Sequence, residues 1–112
     1  MEDMNDRDSR MLAEFRKRLP EDVKPGLRAI LAYGSRVRGD ATEESDLDVV
    51  ALVESKTPEL ERRLDDIAYE VMWDFDFTPI MSLRVFPYAQ FHDAAQQGLS
   101  YYRNVLAQGL SV

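Results

Sequence analysis

The apolar residues of this chain are spaced with two periods. Over Ser9–Leu19, Met11, Leu12, Phe15 and Leu19 fall on one helical stripe, which Pro20 ends. Lys24-Pro25-Gly26 reads as a turn. Leu27 to Tyr33 then alternates as a strand, with Ala29, Leu31 and Tyr33 on one face and Arg28, Ile30 and Ala32 on the other. Ser35 to Glu44 reads as one helical turn followed by a charged polar loop. Asp46 to Glu54 is apolar on both faces beyond its aspartates, which marks a strand in the middle of a sheet. Thr57-Pro58 supplies an N-cap and a first helical residue, and Leu60, Leu64, Ile67, Ala68, Val71 and Met72 recur at three and four. Asp76 to Val85 predicts a third strand, which Pro79 places at an edge or bulges. Phe86-Pro87 opens a helix that ends before Gly98. Ser100 caps a last one, with Tyr101, Tyr102, Val105 and Leu106 as its apolar patch and Gly109 as its stop. The order predicts an α/β (α+β) fold: a short mixed or antiparallel sheet with helices packed mainly on one face.

The 112 residues contain no internal repeat, linker or low-complexity tract, so a single domain over residues 1–112 is expected. Fourteen basic residues stand against 21 acidic ones, a net charge of −7, which argues against nucleic acid as a direct ligand. The absence of cysteine excludes disulfides and thiolate zinc sites, and His92, the only histidine, cannot form a histidine metal cluster. The N-terminus, MEDMNDRDSR, is highly charged and no apolar run reaches about 18 residues. Neither a signal peptide nor a membrane span is therefore expected, and the expected location is cytoplasmic.

The chemistry concentrates between Gly34 and Asp48. Asp46 and Asp48 are two apart at the head of a strand and so share a face, roughly 6–7 Å apart along the chain. At an effective dielectric near 20 their repulsion is about 2–3 kcal/mol, which the neighbouring LDVVALV run does nothing to offset and a divalent cation would remove. Gly34-Ser35 ends the preceding strand before a helical turn, which leaves backbone N–H groups pointing outward to hold phosphate. A phosphate cradle beside a carboxylate pair suited to Mg²⁺ describes a nucleoside triphosphate site. His92 and the run Tyr101-Tyr102-Arg103-Asn104 read first as helix and core residues, although the latter could touch nucleotide or partner.

The spacing Gly34-Ser35, ten residues (RVRGDATEES), Asp46-Leu47-Asp48 resembles the signature of the minimal nucleotidyltransferases of the DNA polymerase β-like superfamily, and Gly39 and Ser45 fit its longer form. The resemblance implies the nucleotidyltransferase fold. It also implies Asp46 and Asp48 as ligands of Mg²⁺, in a site for two metal ions, and Gly34 and Ser35 as the triphosphate turn, with Arg36 and Arg38 close enough to steady the phosphates. The family adds a third carboxylate between hydrophobic residues on a later strand. Phe75-Asp76-Phe77 is the setting of that shape here, which makes Asp76 the candidate third catalytic and metal-binding residue. Its rivals are that Asp74 and Asp76 belong to a turn, and that the inward register presents Ser82 or Arg84 instead.

Two function classes follow. The first is a Mg²⁺-dependent nucleotidyltransferase that moves a nucleoside monophosphate, AMP from ATP, onto a hydroxyl. Stand-alone chains of this size resemble antitoxins of two-gene modules whose partner is a HEPN-type ribonuclease toxin. The implied acceptor is then a tyrosine of that toxin, and the acidic balance suits docking on a basic protein. The second is a binding module that neutralises its partner by contact alone, without turnover.

Overall fold

The computed structural model describes residues 4–112. Helix α1 (Asp6–Lys17) starts earlier than its apolar stripe suggests, because the Asn5 side chain accepts the Asp8 N–H and caps it, and it ends at Arg18, two residues before Pro20. A 3₁₀ turn (Lys24–Gly26) leads into strand β1 (Leu27–Tyr33). A four-residue helix, α2 (Ser35–Arg38), and a loop then lead to β2 (Leu47–Val53). Helix α3 (Pro58–Asp74) begins as expected, with the Thr57 hydroxyl accepting from the Leu60 N–H at 3.0 Å. Strand β3 (Met81–Pro87), helices α4 (Tyr88–Gln96) and α5 (Ser100–Gln108), and the two-residue strand β4 (Leu110–Ser111) complete the chain. Ser100 is the first residue of α5 rather than its cap, a place taken by Leu99.

The four strands form one mixed sheet in the order β3-β2-β1-β4. Strand β1 is antiparallel to both β2 and β4, and β2 is parallel to β3. As its composition requires, β2 is central, with Leu47, Val49, Val50, Ala51, Leu52 and Val53 all buried. The two longest helices cover one face: Met11, Leu12 and Phe15 of α1 and Leu64, Ala68 and Val71 of α3 close over Val49, Ala51, Ile30 and Ala32. The shorter α4 and α5 cover part of the other face, where Phe91 and Val105 meet Val50 and Leu52 with an aromatic group of Phe86, Tyr101 and Tyr102. Toward the C-terminal end of β1 this second layer reaches Tyr33 through Tyr101 and leaves Tyr33 and Asp48 half-buried, on a half-open shelf.

The expectation of a strand from Asp76 is corrected. After α3 the chain turns through Asp76 and Phe77, both in the left-handed region (φ 57° and 54°), with the Phe77 N–H donating to the Met72 carbonyl, and Pro79 is buried before β3 begins at Met81. The Leu47 N–H donates to the Ile80 carbonyl at 2.8 Å, so pairing with β2 starts only there.

Candidate active site

At the end of β1 the chain must pass Asp48, the residue opposite Tyr33 in the antiparallel register. Gly34 makes the passage with φ +90°, a conformation that residues with a Cβ rarely adopt. A Cβ on Gly34 would also stand 2.7 Å from an Asp48 carboxylate oxygen. The glycine is required twice over, by backbone angle and by the carboxylate packed against it. Helix α2 starts at the next residue with no side-chain cap; the Gly34 carbonyl accepts from the Val37 and Arg38 N–H groups, and those of Ser35 and Arg36 lead the helix uncapped. Gly39, also left-handed, ends α2 by donating to the Ser35 carbonyl.

The loop from Gly39 to Asp46 is held by a pair that sequence reasoning missed. Arg36 Nε donates to Asp8 Oδ2 at 2.7 Å with both side chains buried, and its Nη1 donates to the carbonyls of Thr42 (3.1 Å) and Ser45 (2.8 Å). The Ser45 hydroxyl in turn accepts the Thr42 N–H. The guanidinium therefore carries the residue just before Asp46. Arg36 was expected to steady a triphosphate; the structure instead commits it to α1 and the loop. One signal was available: Asp8 lies on the Met11-Leu12-Phe15 stripe, where a carboxylate is buried only with a partner.

Asp46 is exposed at the mouth and Asp48 is half-buried behind it. Burial, and then the charge of Asp46, raise the Asp48 carboxyl above its ordinary value, against the opposing pull of Arg84 and Arg38. The pair thus stands close enough to repel, with two cations facing it. Arg84 follows from register: Asp48 pairs with Ser82 and Val50 with Arg84, which puts Ser82 and Arg84 on the Asp48 face of the sheet. Arg38, also exposed, reaches Asp40 at 3.4 Å. Tyr33 donates to or accepts from the Tyr101 hydroxyl at 2.9 Å, and burial, that bond and the nearby Asp48 push its phenol far above the usual range, so it stays neutral.

Asp76 does not join the pair. It is exposed in the turn after α3, and among the described residues no three His, Cys, Asp or Glu side chains gather to hold a metal. The set that is present, two mutually repelling carboxylates beside the Gly34-Ser35 turn, fits Mg²⁺, which typically takes one or two carboxylates and completes its shell with substrate phosphate and water. Two cavities flank it. One, of about 200 Å³, lies between Gly34, Arg38, Tyr33 and the α5 residues Tyr101, Asn104 and Gln108. The other, of about 320 Å³, runs from Asp46 along Phe77, Pro79 and Ile80. His92 packs on the Tyr88 ring on α4.

Two outcomes are expected. Arg36→Ala leaves the Asp8 carboxylate buried without its partner and should cost about 3–5 kcal/mol in urea unfolding, whereas the double change Asp8→Asn with Arg36→Met should recover much of the loss. Asp48 binds its proton more tightly folded than unfolded, so its contribution to stability falls as pH rises from its unfolded value of 3.8 through the folded one. Over that window wild type should lose stability relative to Asp48→Asn, and Mg²⁺ should restore it in wild type only. An Asp48→Asn curve parallel to wild type would refute the raised Asp48 carboxyl, to which burial contributes most and the charge of Asp46 next.

With this geometry in hand, the likeness to known proteins is informative. A family model described as "Nucleotidyltransferase domain" matches residues 12–103. A Methanocaldococcus jannaschii protein named "Putative protein adenylyltransferase MJ0141" is 35% identical over 74 residues, which is 63% of this chain and 75% of that protein. No solved structure matches the chain. The match spans the Gly-Ser turn, the aspartate pair, α3 and β3 together, and the chain belongs to the nucleotidyltransferase domain family.

Proposed function

We propose that this nucleotidyltransferase uses Mg²⁺ to move AMP from ATP onto a protein hydroxyl, a tyrosine of a HEPN-type ribonuclease, and thereby acts as an antitoxin. The observation that carries the transfer is the contact of Gly34 with Asp48, which brings a turn with free N–H groups against a carboxylate pair. The acceptor class is supported by the M. jannaschii relative, whose name gives a protein as the substrate of adenylyl transfer. The net charge of −7 favours a basic protein over nucleic acid.

In this reading Asp46 and Asp48 hold Mg²⁺, which when bound neutralises charge on the phosphates and polarises the α-phosphoryl group. Ser35 and the leading N–H groups of α2 orient the triphosphate. Arg38 and Arg84 offset the charge that grows on the departing pyrophosphate. The nucleoside lies in the cavity beside Tyr101 and Asn104. The acceptor oxygen bonds to the α-phosphorus in line as the bond to the β-phosphate oxygen breaks; pyrophosphate leaves with the electron pair, and the hydroxyl proton passes to solvent.

A second reading rests on one observation: among the described residues no third carboxylate gathers with Asp46 and Asp48. In it the chain neutralises its partner by contact alone. The test separating the two is α-³²P label transfer from ATP to a purified HEPN-type ribonuclease, with ribonuclease activity read in parallel. Asp46→Asn and Asp48→Asn should each lower transfer by at least about 100-fold and abolish ATP-dependent neutralisation. Full neutralisation by both variants without nucleotide would establish the contact reading and end the transferase one.

A further inference from the structure

The outer face of α3 carries a group of aromatics that the fold does not use. Tyr69 and Trp73, one turn apart, are 53% and 61% exposed, and Phe77 in the following turn closes the group. The three rings meet edge to face, with centroids 5.3–6.2 Å apart. Burying aromatic surface of this size is worth far more than exposing it, and neither the sheet nor the second layer reaches these rings. Ile80, 51% exposed, extends the patch. Its carbonyl holds the Leu47 N–H, so its side chain stands beside the strand end that bears Asp46. The cavity of about 320 Å³ between Ile80, Phe77 and Asp46 links the aromatic group to the catalytic mouth without a break. The turn is braced from behind: the Arg7 guanidinium donates to the carbonyls of Phe75 and Thr78.

Charge indicates what this face meets. Exposed acidic residues border it, Asp66 and Glu70 on α3, Asp76 in the turn, and Glu43 and Glu44 across the cavity. Two copies of the chain placed face to face would set these rims against each other. A rim of carboxylates around a core of Trp, Tyr and Phe instead complements an apolar surface ringed by lysine and arginine.

We infer that the Tyr69-Trp73-Phe77-Ile80 face is the docking surface for the protein acceptor, a basic-rimmed apolar surface that lies along α3 and delivers its hydroxyl to Asp46 through the connecting cavity. The inference rests on the protein-acceptor reading above and names the surface that selects the acceptor. Because the nucleotide side of the site lies on the opposite flank, beside α5, docking and Mg²⁺-ATP binding use separate residues.

The experiment takes total protein extract of the source organism as the acceptor pool and α-³²P-labelled ATP as the donor. Four proteins are compared with wild type: Tyr69→Ser with Trp73→Ser, the charge reversal Glu70→Lys, the exposed off-patch change Leu99→Ser, and Asp46→Asn. The double change should lower the rate of protein labelling by about 30-fold or more, as truncation of interface aromatics does. Glu70→Lys should lower it by about 10-fold through charge alone, with Mg²⁺-ATP affinity unchanged in both. Leu99→Ser should label as wild type does, and Asp46→Asn should not label. Protein labelling by the double variant at the wild-type rate would overturn the docking surface while leaving the transferase reading intact. Absence of protein labelling by wild type would remove the protein-acceptor reading and this inference with it. Sedimentation completes the test: the chain alone should be monomeric, and a dimer lost in the double variant would assign the face to a second copy and overturn the proposal.

Discussion

The site depends on one close approach: the backbone of Gly34 against the carboxylate of Asp48, with 2.7 Å between an Asp48 oxygen and the place where a Cβ would stand. Antiparallel pairing of Tyr33 with Asp48 fixes this contact, and the pairing holds because β2 is apolar on both faces and lies between β1 and β3. A one-residue slip of β2 would turn Asp48 toward the α1/α3 core and Leu47 toward the shelf, exchanging a solvated carboxylate for a buried one. The hydrophobic core thus sets the register, and the register sets the distance between the Gly34-Ser35 turn and Asp48. The geometry of the candidate site is in this sense a by-product of how β2 is buried.

A second constraint acts on the loop between the two halves of the motif. Arg36 ties α1 to the carbonyls of Thr42 and Ser45, so the N-terminal helix, remote in sequence from the aspartates, helps hold the segment that presents Asp46. An ion pair this deeply buried is a costly device, since desolvation of both groups offsets much of their attraction. Its value lies in geometry: it ends a loop of exposed, charged residues at a defined place. The two flanks of the aspartate pair differ, with aromatic and amide side chains of α5 on one side and an acid-rimmed aromatic face of α3 on the other.

Much of the fold was legible because burial leaves a period. Strands β1 and β2 and helix α3 were read with their faces correctly assigned, since each has one environment along its whole length. Asp76 to Ile80 misled because hydrophobic and polar residues alternate there as in a strand, while two left-handed residues and Pro79 fold the segment into a turn. Strand β4 has two residues, too few for any period. The spacing put Gly34-Ser35 together with Asp46 and Asp48, and the structure brings Gly34 against Asp48. Arg36 and Arg38 looked equivalent, yet residues two apart on a helix point about 200° apart. One had to turn inward, and Asp8, 28 residues earlier, decided which. Ser82 and Arg84 became placeable only once the parallel register of β3 was known.

The central claim is that Gly34, Asp46 and Asp48 together form one metal-nucleotide site. A crystal structure with Mg²⁺ and a non-hydrolysable ATP analogue tests it most directly. The account predicts Mg²⁺ about 2.0–2.1 Å from an oxygen of each aspartate and from a phosphate oxygen, with the triphosphate lying against the Gly34-Ser35 turn. A triphosphate bound elsewhere on the chain, or one at the turn with neither aspartate in the metal's shell, would contradict it.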